Sequence, residues 1–124
     1  MDAQRERQDQ GFLSRLVAVV GSEASENERI ERAIGLSNSY VAEIKRRYDV
    51  GPRKRLSARE RADIRDELLA TRNEIMRREK LVPDGSAKRR ILKFARVAIE
   101  LVSQGSNALG EILRDEVVAD RRSA

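Results

Sequence analysis

Apolar residues recur along the chain at helical spacing, and no window alternates apolar and polar positions for the length of a strand. Phe12, Leu13, Leu16, Val17 and Val20 form an i, i+1, i+4, i+5, i+8 stripe, which predicts a first helix from about Arg7 to Gly21, preceded by a frayed polar segment over residues 1–10. Ser25 and Glu28 have the S-x-x-E spacing of a capping box, so a second helix should open at Glu26 and carry Ile30 and Ile34 on one face. Gly35 stands where a chain leaving a helix takes a left-handed residue, and Ser37 stands where the next helix takes its N-cap. A turn at Gly35, Leu36 and Ser37 is therefore expected, with a third helix from Asn38 to Tyr48 offering Val41, Ile44 and Tyr48 to a shared core. Each short helix has too little apolar surface to stay folded alone, so the three must close on one another.

Beyond Val50, Gly51 and Pro52, the pattern changes. Ser57 and Glu60 make a second S-x-x-E box opening a long fourth helix from Ala58 to about Lys80, whose sparse apolar positions (Ala62, Ile64, Leu68, Leu69, Ile75, Met76) suit a connector or arm. Leu81, Val82, Pro83, Asp84 and Gly85 stop it. A fifth helix, residues 87–103, is apolar over so wide an arc (Ile91, Leu92, Ala95, Ala98, Ile99 and Val102, extended by Phe94, Val97 and Leu101) that it should be covered on more than one side. A short sixth helix, residues 107–119, with Leu109, Ile112, Leu113 and Val117 would complete a C-terminal hairpin, covered by the fourth helix and a second copy of the chain.

The spacing at residues 26–48 resembles the broad helix-turn-helix class of DNA-binding proteins, through Ile30, Ile34, Gly35, Leu36, Val41 and Ile44. Glu31 stands where that class usually carries a small residue. The expected fold is accordingly all-α: an N-terminal three-helix helix-turn-helix unit with a basic linker (residues 1–55), then a long connector helix and a C-terminal helical hairpin (residues 56–124) for oligomerisation or partner binding. The resemblance implies double-stranded DNA as partner, with base-edge contacts from the first two turns of the 38–48 helix and from just before it. By chemistry Asn38 suits an adenine edge, Glu43 a cytosine amino group and Arg46 guanine O6 and N7, while Ser37, Ser39 and Tyr40 suit phosphate or base hydrogen bonds. Ala42, Lys45 and Arg47 complete the outward or flanking set.

Charge placement sharpens this expectation. Residues 1–44 hold five basic and eight acidic side chains, net −3, whereas residues 45–55 hold six basic (Lys45, Arg46, Arg47, Arg53, Lys54, Arg55) against Asp49, net +5. The surplus lies where a reading helix would emerge onto phosphates. Lys88, Arg89, Arg90, Lys93 and Arg96 form a second basic cluster with no acid among residues 86–99, suited to a further backbone contact, to an acidic partner, or to an ordinary solvated face.

Cys and His are absent, which removes disulfides, zinc modules, thiol nucleophiles and imidazole bases together. Tyr40 and Tyr48 have no accompanying catalytic constellation, and Asp115 and Glu116 point different ways on a helix, so no catalytic residue, metal or cofactor is expected. Residues 1–10 lack an apolar signal core and no apolar run spans a bilayer, so a cytoplasmic, nucleoid-associated location is the expectation. The leading reading is a sequence-selective, homodimeric bacterial or phage transcription regulator, pairing through residues 87–103 and 107–119. One alternative is a DNA-binding accessory protein in phage packaging, recombination or partition; the small terminase subunits are similar in general plan. Another is a helical adaptor for a second protein, such as RNA polymerase or another regulator.

Overall fold

A computed structural model describes residues 2–51, 55–106 and 109–112, with side chains described from Gly11 onward. It is all-helical over those residues: α1 (Asp2–Val20), α2 (Glu26–Arg47), α3 (Ala58–Leu81) and α4 (Ala87–Gln104), followed by a single helical turn at residues 109–112. None of the described helices is long and apolar enough to cross a membrane.

The first helix begins at Asp2, earlier than the apolar pattern required, because the polar segment before Arg7 continues the same coil. The larger departure is at Gly35. Residues 26–47 form one uninterrupted helix of 22 residues, so the turn expected at Gly35, Leu36 and Ser37 is not there. Gly85 is the one glycine with a positive φ among the described residues, and Gly35 sits mid-helix on the solvent side with open space around it. Ala33, Ser37, Tyr40, Val41 and Ile44 are all buried and keep one phase across the glycine, so burial along a single face holds the helix straight through it. The arrangement of two short helices is replaced by one long one, and α1, α2 and α4 pack together without a helix-turn-helix corner.

The helix ends follow local chemistry. The Ser25 hydroxyl accepts a hydrogen bond from the Glu28 amide at 3.2 Å and opens α2. Ser57 and Glu60 form both arms of a capping box (3.1 and 3.0 Å) at the start of α3. Val82 is extended ahead of Pro83 and closes α3, and the Ser86 hydroxyl accepts from the Arg89 amide at 3.2 Å to open α4. Asp49 takes the left-handed conformation (φ 52°) after α2, a role that a short polar side chain tolerates.

One apolar cluster unites the chain from Phe12 to Ile112, drawing on all four helices, so the expected boundary at residues 55 and 56 does not divide the core. α4 lies against α2, α3 and the edge of α1; its largest interface is with α2. Leu16, Ile44, Ile64, Ile75, Ile91 and Leu109 are wholly buried, each worth about 1.5–3 kcal/mol by transfer from water. α3, far from a free arm, runs along α4 on a narrow stripe that mixes apolar Ile64, Leu68 and Ile75 with polar Glu67, Thr71 and Glu79. Each of these polar groups meets a partner from another helix: Glu67 meets Arg47, Thr71 meets the Tyr40 hydroxyl at 2.7 Å, and Glu79 takes the Arg96 guanidinium at 2.8 and 3.2 Å.

Candidate nucleic-acid interface

The outer edge of α2 is a continuous solvent-facing stripe: Glu28, Glu31, Arg32, Gly35, Asn38, Ser39, Ala42 and Arg46 are exposed at helical spacing. Its N-terminal half is acidic and its C-terminal half neutral to basic, so negatively charged surfaces are repelled at one end only. Beside the C-terminal half, α1 and α2 leave an open groove of about 440 Å³ whose walls include Phe12, Arg15, Ser39, Tyr40, Glu43 and Arg47.

The expected contact residues divide sharply on this geometry. Asn38, Ser39, Ala42, Arg46 and Arg55 are exposed; Glu43, Lys45 and Arg47 are half-buried; Arg53 and Lys54 lie outside the described residues. Ser37 and Tyr40 are both buried, Tyr40 showing only a sliver to the groove. Ser37 is wholly buried, with its hydroxyl 2.9 Å from the Ala33 carbonyl and 3.0 Å from the Ala95 carbonyl, so it ties α2 to α4 instead of capping a helix. The back-bond to a carbonyl four residues earlier is how a serine sits inside a helix without breaking it. Tyr40 packs its ring 4.6 Å from that of Phe12 and sends its hydroxyl to Thr71. Neither side chain can reach a phosphate or a base without unpacking the core.

Arginines at the end of α2 are already engaged. Glu43 grips Arg46 in a two-pronged contact, one prong at 2.9 Å (Nε to Oε2), and raises the guanidinium pKa above its ordinary value. Arg47 reaches into the bundle to Glu67, whose side chain is fully shielded from solvent. Burial, then the Glu67 and Asp63 charges, pushes the Tyr48 hydroxyl pKa up beside it. Lys45 and Arg55 pair with no carboxylate among the described residues.

Three of the five residues in the second basic cluster are matched by acids, two of them through acids on other helices. Arg90 holds Glu26 of α2 and depresses the pKa of that carboxyl, chiefly through the hydrogen bond; Arg96 binds Glu79; Arg89 lies 3.7 Å from the exposed Asp84. Lys88 and Lys93 have no such partner among the described residues.

Arg15 is the residue that the sequence pattern did not single out. Its one signal is its place three residues after Phe12, beside the apolar stripe, which puts it on the wall of the groove. The chain matches no protein-family model, no curated protein and no solved structure.

Proposed function

We propose that the chain binds double-stranded DNA through the C-terminal half of the α2 stripe and the basic stretch after it, acting as a homodimeric transcription regulator of bacterial or phage type. The observation that carries this reading is the coincidence of two features. The net +5 of residues 45–55 lies at the end of the one helix edge where Asn38, Ser39, Ala42 and Arg46 are open to solvent. From Asn38 to Arg46 that edge is about 12 Å long at 1.5 Å per residue, and the diameter of a helix, about 10–12 Å, is what a major groove about 12 Å wide admits. Asn38 and Arg46 are the base-reading pair in this proposal, with Glu43 a third reader, and Lys45, Arg53, Lys54 and Arg55 neutralise phosphates. Reading with Arg46 requires its guanidinium to leave Glu43 for a guanine edge. One such edge touches three or four bases at about 1–3 kcal/mol of discrimination each; two copies on a two-fold axis multiply that selectivity.

The test is fluorescence anisotropy on fragments selected from genomic DNA, against random duplex. Asn38→Ala and Arg46→Ala should weaken the selected site far more than random DNA. Arg53→Ala and Arg55→Ala should weaken both and flatten the dependence of log K on log salt by about 0.9 for each phosphate lost. Equal losses on every sequence for all four variants would refute base reading.

The engagement of Arg46 and Arg47 by carboxylates favours a second reading, the helical adaptor for another protein. It requires that DNA mobility stay unchanged in a gel shift at about 50 mM salt.

A further inference from the structure

α4 is buried on its inner face by Ile91, Leu92, Ala95 and Ile99, yet its outer face carries two large apolar side chains among the exposed Lys88, Arg90, Lys93 and Gln104. Phe94 is 44% exposed and Leu101 62%, with half-buried Val97 between them. Arg90, Phe94, Val97, Leu101 and Gln104 follow one another at steps of four, three, four and three residues, the spacing of a seam between two helices. The Arg90 guanidinium is turned aside to Glu26, so the seam proper is apolar over the two turns from Phe94 to Leu101.

We propose that this seam pairs α4 with α4 of a second copy, antiparallel, about a two-fold axis close to Val97. Two residue pairs of α4 set the occupant and its direction. Phe94 and Leu101 are seven residues apart, as are Lys93 and Glu100, and seven residues make two helical turns. An antiparallel two-fold between residues 97 and 98 sets Phe94 against the partner copy's Leu101 and brings Lys93 to within two residues of the level of its Glu100, about 3 Å along the helix and within reach of a lysine stem, and the axis repeats both contacts. Lys93 is exposed and forms no ion pair among the described residues, although Glu79 and Asp84 line the same hollow, while Glu100 is about one-third exposed and makes a 3.9 Å contact to Arg96, so both charges can turn to a partner copy. In a parallel pairing Lys93 and Glu100 would instead face the positions of Ile91 and Ala98, which are buried in their own bundle and carry no charge. Charge complementarity thus selects one orientation of one partner, a copy of the same chain.

The pairing rests on the dimeric reading above for its use, but it is measured without DNA. Sedimentation equilibrium of the full chain over a range of concentrations should give a reversible monomer–dimer equilibrium. L101D should be monomeric with an unchanged far-UV dichroism melt, because Leu101 contributes little to the core of its own chain. K93E and E100K should each raise the dissociation constant about fivefold or more, since a rim pair is weak singly but is counted twice by the axis. K93E/E100K, in which the charges are exchanged, should restore it. The proposal is overturned by a wild-type chain that stays monomeric, by an assembly larger than two, by an L101D chain that dimerises normally, or by a double variant no tighter than the single ones. A monomer that still retards DNA would remove the pairing and leave the DNA reading; a dimer that leaves DNA unmoved would do the reverse.

Discussion

Gly35→Ala changes stability in opposite directions depending on what the chain does at residue 35. In the 22-residue α2 the glycine is nine residues from the N-terminus, exposed, and, apart from its own neighbours and the local helix backbone, nothing lies within 4 Å of where a Cβ would stand. The methyl group meets nothing, and alanine is the better helix former by about 0.8–1.0 kcal/mol in a helix interior. Part of that advantage comes from restricting the unfolded chain, so a net gain of about 0.5–1 kcal/mol is expected. For a chain of this length the melting temperature should rise by about 2–6 °C. If residues 35–37 were a turn with a left-handed glycine, the added Cβ would instead cost about 1–2 kcal/mol. Thermal and urea unfolding followed by dichroism at 222 nm read the sign directly. Gly85→Ala is the internal control: φ there is 77°, so the same substitution should lower stability. A Gly35→Ala chain that melts below wild type would refute the continuous helix.

Other consequences of the packing are as direct. Phe12→Ala removes a ring that is 7% exposed and packed at a tilt against that of Tyr40, and urea unfolding should show a loss of about 3–5 kcal/mol; a loss below about 1 kcal/mol would mean that α1 is not part of the core. Arg47→Ala leaves the fully shielded Glu67 carboxylate without its cation and should cost about 3–5 kcal/mol, whereas Arg47→Leu/Glu67→Leu should recover most of it. A double variant as unstable as the single one would show that the site needs the charge pair. The carboxyl of Glu26 has its pKa depressed by Arg90, so its contribution is present above the ordinary carboxylate range and is lost as pH falls through the lowered value. Glu26→Gln should therefore flatten the acid limb of the stability-versus-pH curve and leave the neutral and alkaline parts of its slope unchanged.

How much of this was legible in the sequence depends on the range of the interaction. Starts and stops set by neighbours three or four residues away were readable: Ser25 and Ser57 as caps, Pro83 as a stop, Ala87 as the first residue of α4. The turn expected at 35–37 is absent because a glycine with a serine two residues on has the same local grammar in a turn and in a helix. What decides between them is the Ala95 carbonyl, 58 residues from Ser37. A serine that finds a buried acceptor on another helix behaves as a core residue, and nothing local announces that acceptor. The same holds for Tyr40, assigned to a surface on its hydroxyl and taken into the core by Thr71, and for the basic cluster of α4, whose matching acids lie on α2 and α3. Within the candidate site, the exposed positions Ser39, Ala42 and Arg46 follow from helical period alone, since they point away from Val41 and Ile44, and Asn38 stands at the flank of that buried face.

The long-range polar contacts also change what the basic surface can do. A lysine or arginine that is solvated releases a counterion's worth of salt dependence when it meets a phosphate, but one already held by a carboxylate must first give that partner up. Arg46 and Arg47 are in the second condition, Lys45 and Arg55 in the first. In the proposed function, phosphate attraction therefore falls mainly on the lysine and on the segment beyond α2, while Glu43 holds and orients Arg46. Exchanging one two-pronged acceptor for another with the same geometry, a carboxylate for the O6 and N7 of guanine, costs little in orientation and is selective for the base that offers both. Arg47 has no such exchange open to it, because abandoning Glu67 would strand a carboxylate inside the bundle. The two adjacent arginines thus belong to different parts of the molecule: Arg46 to the surface that meets DNA in the proposed function, Arg47 to the joint that holds α3 against α2.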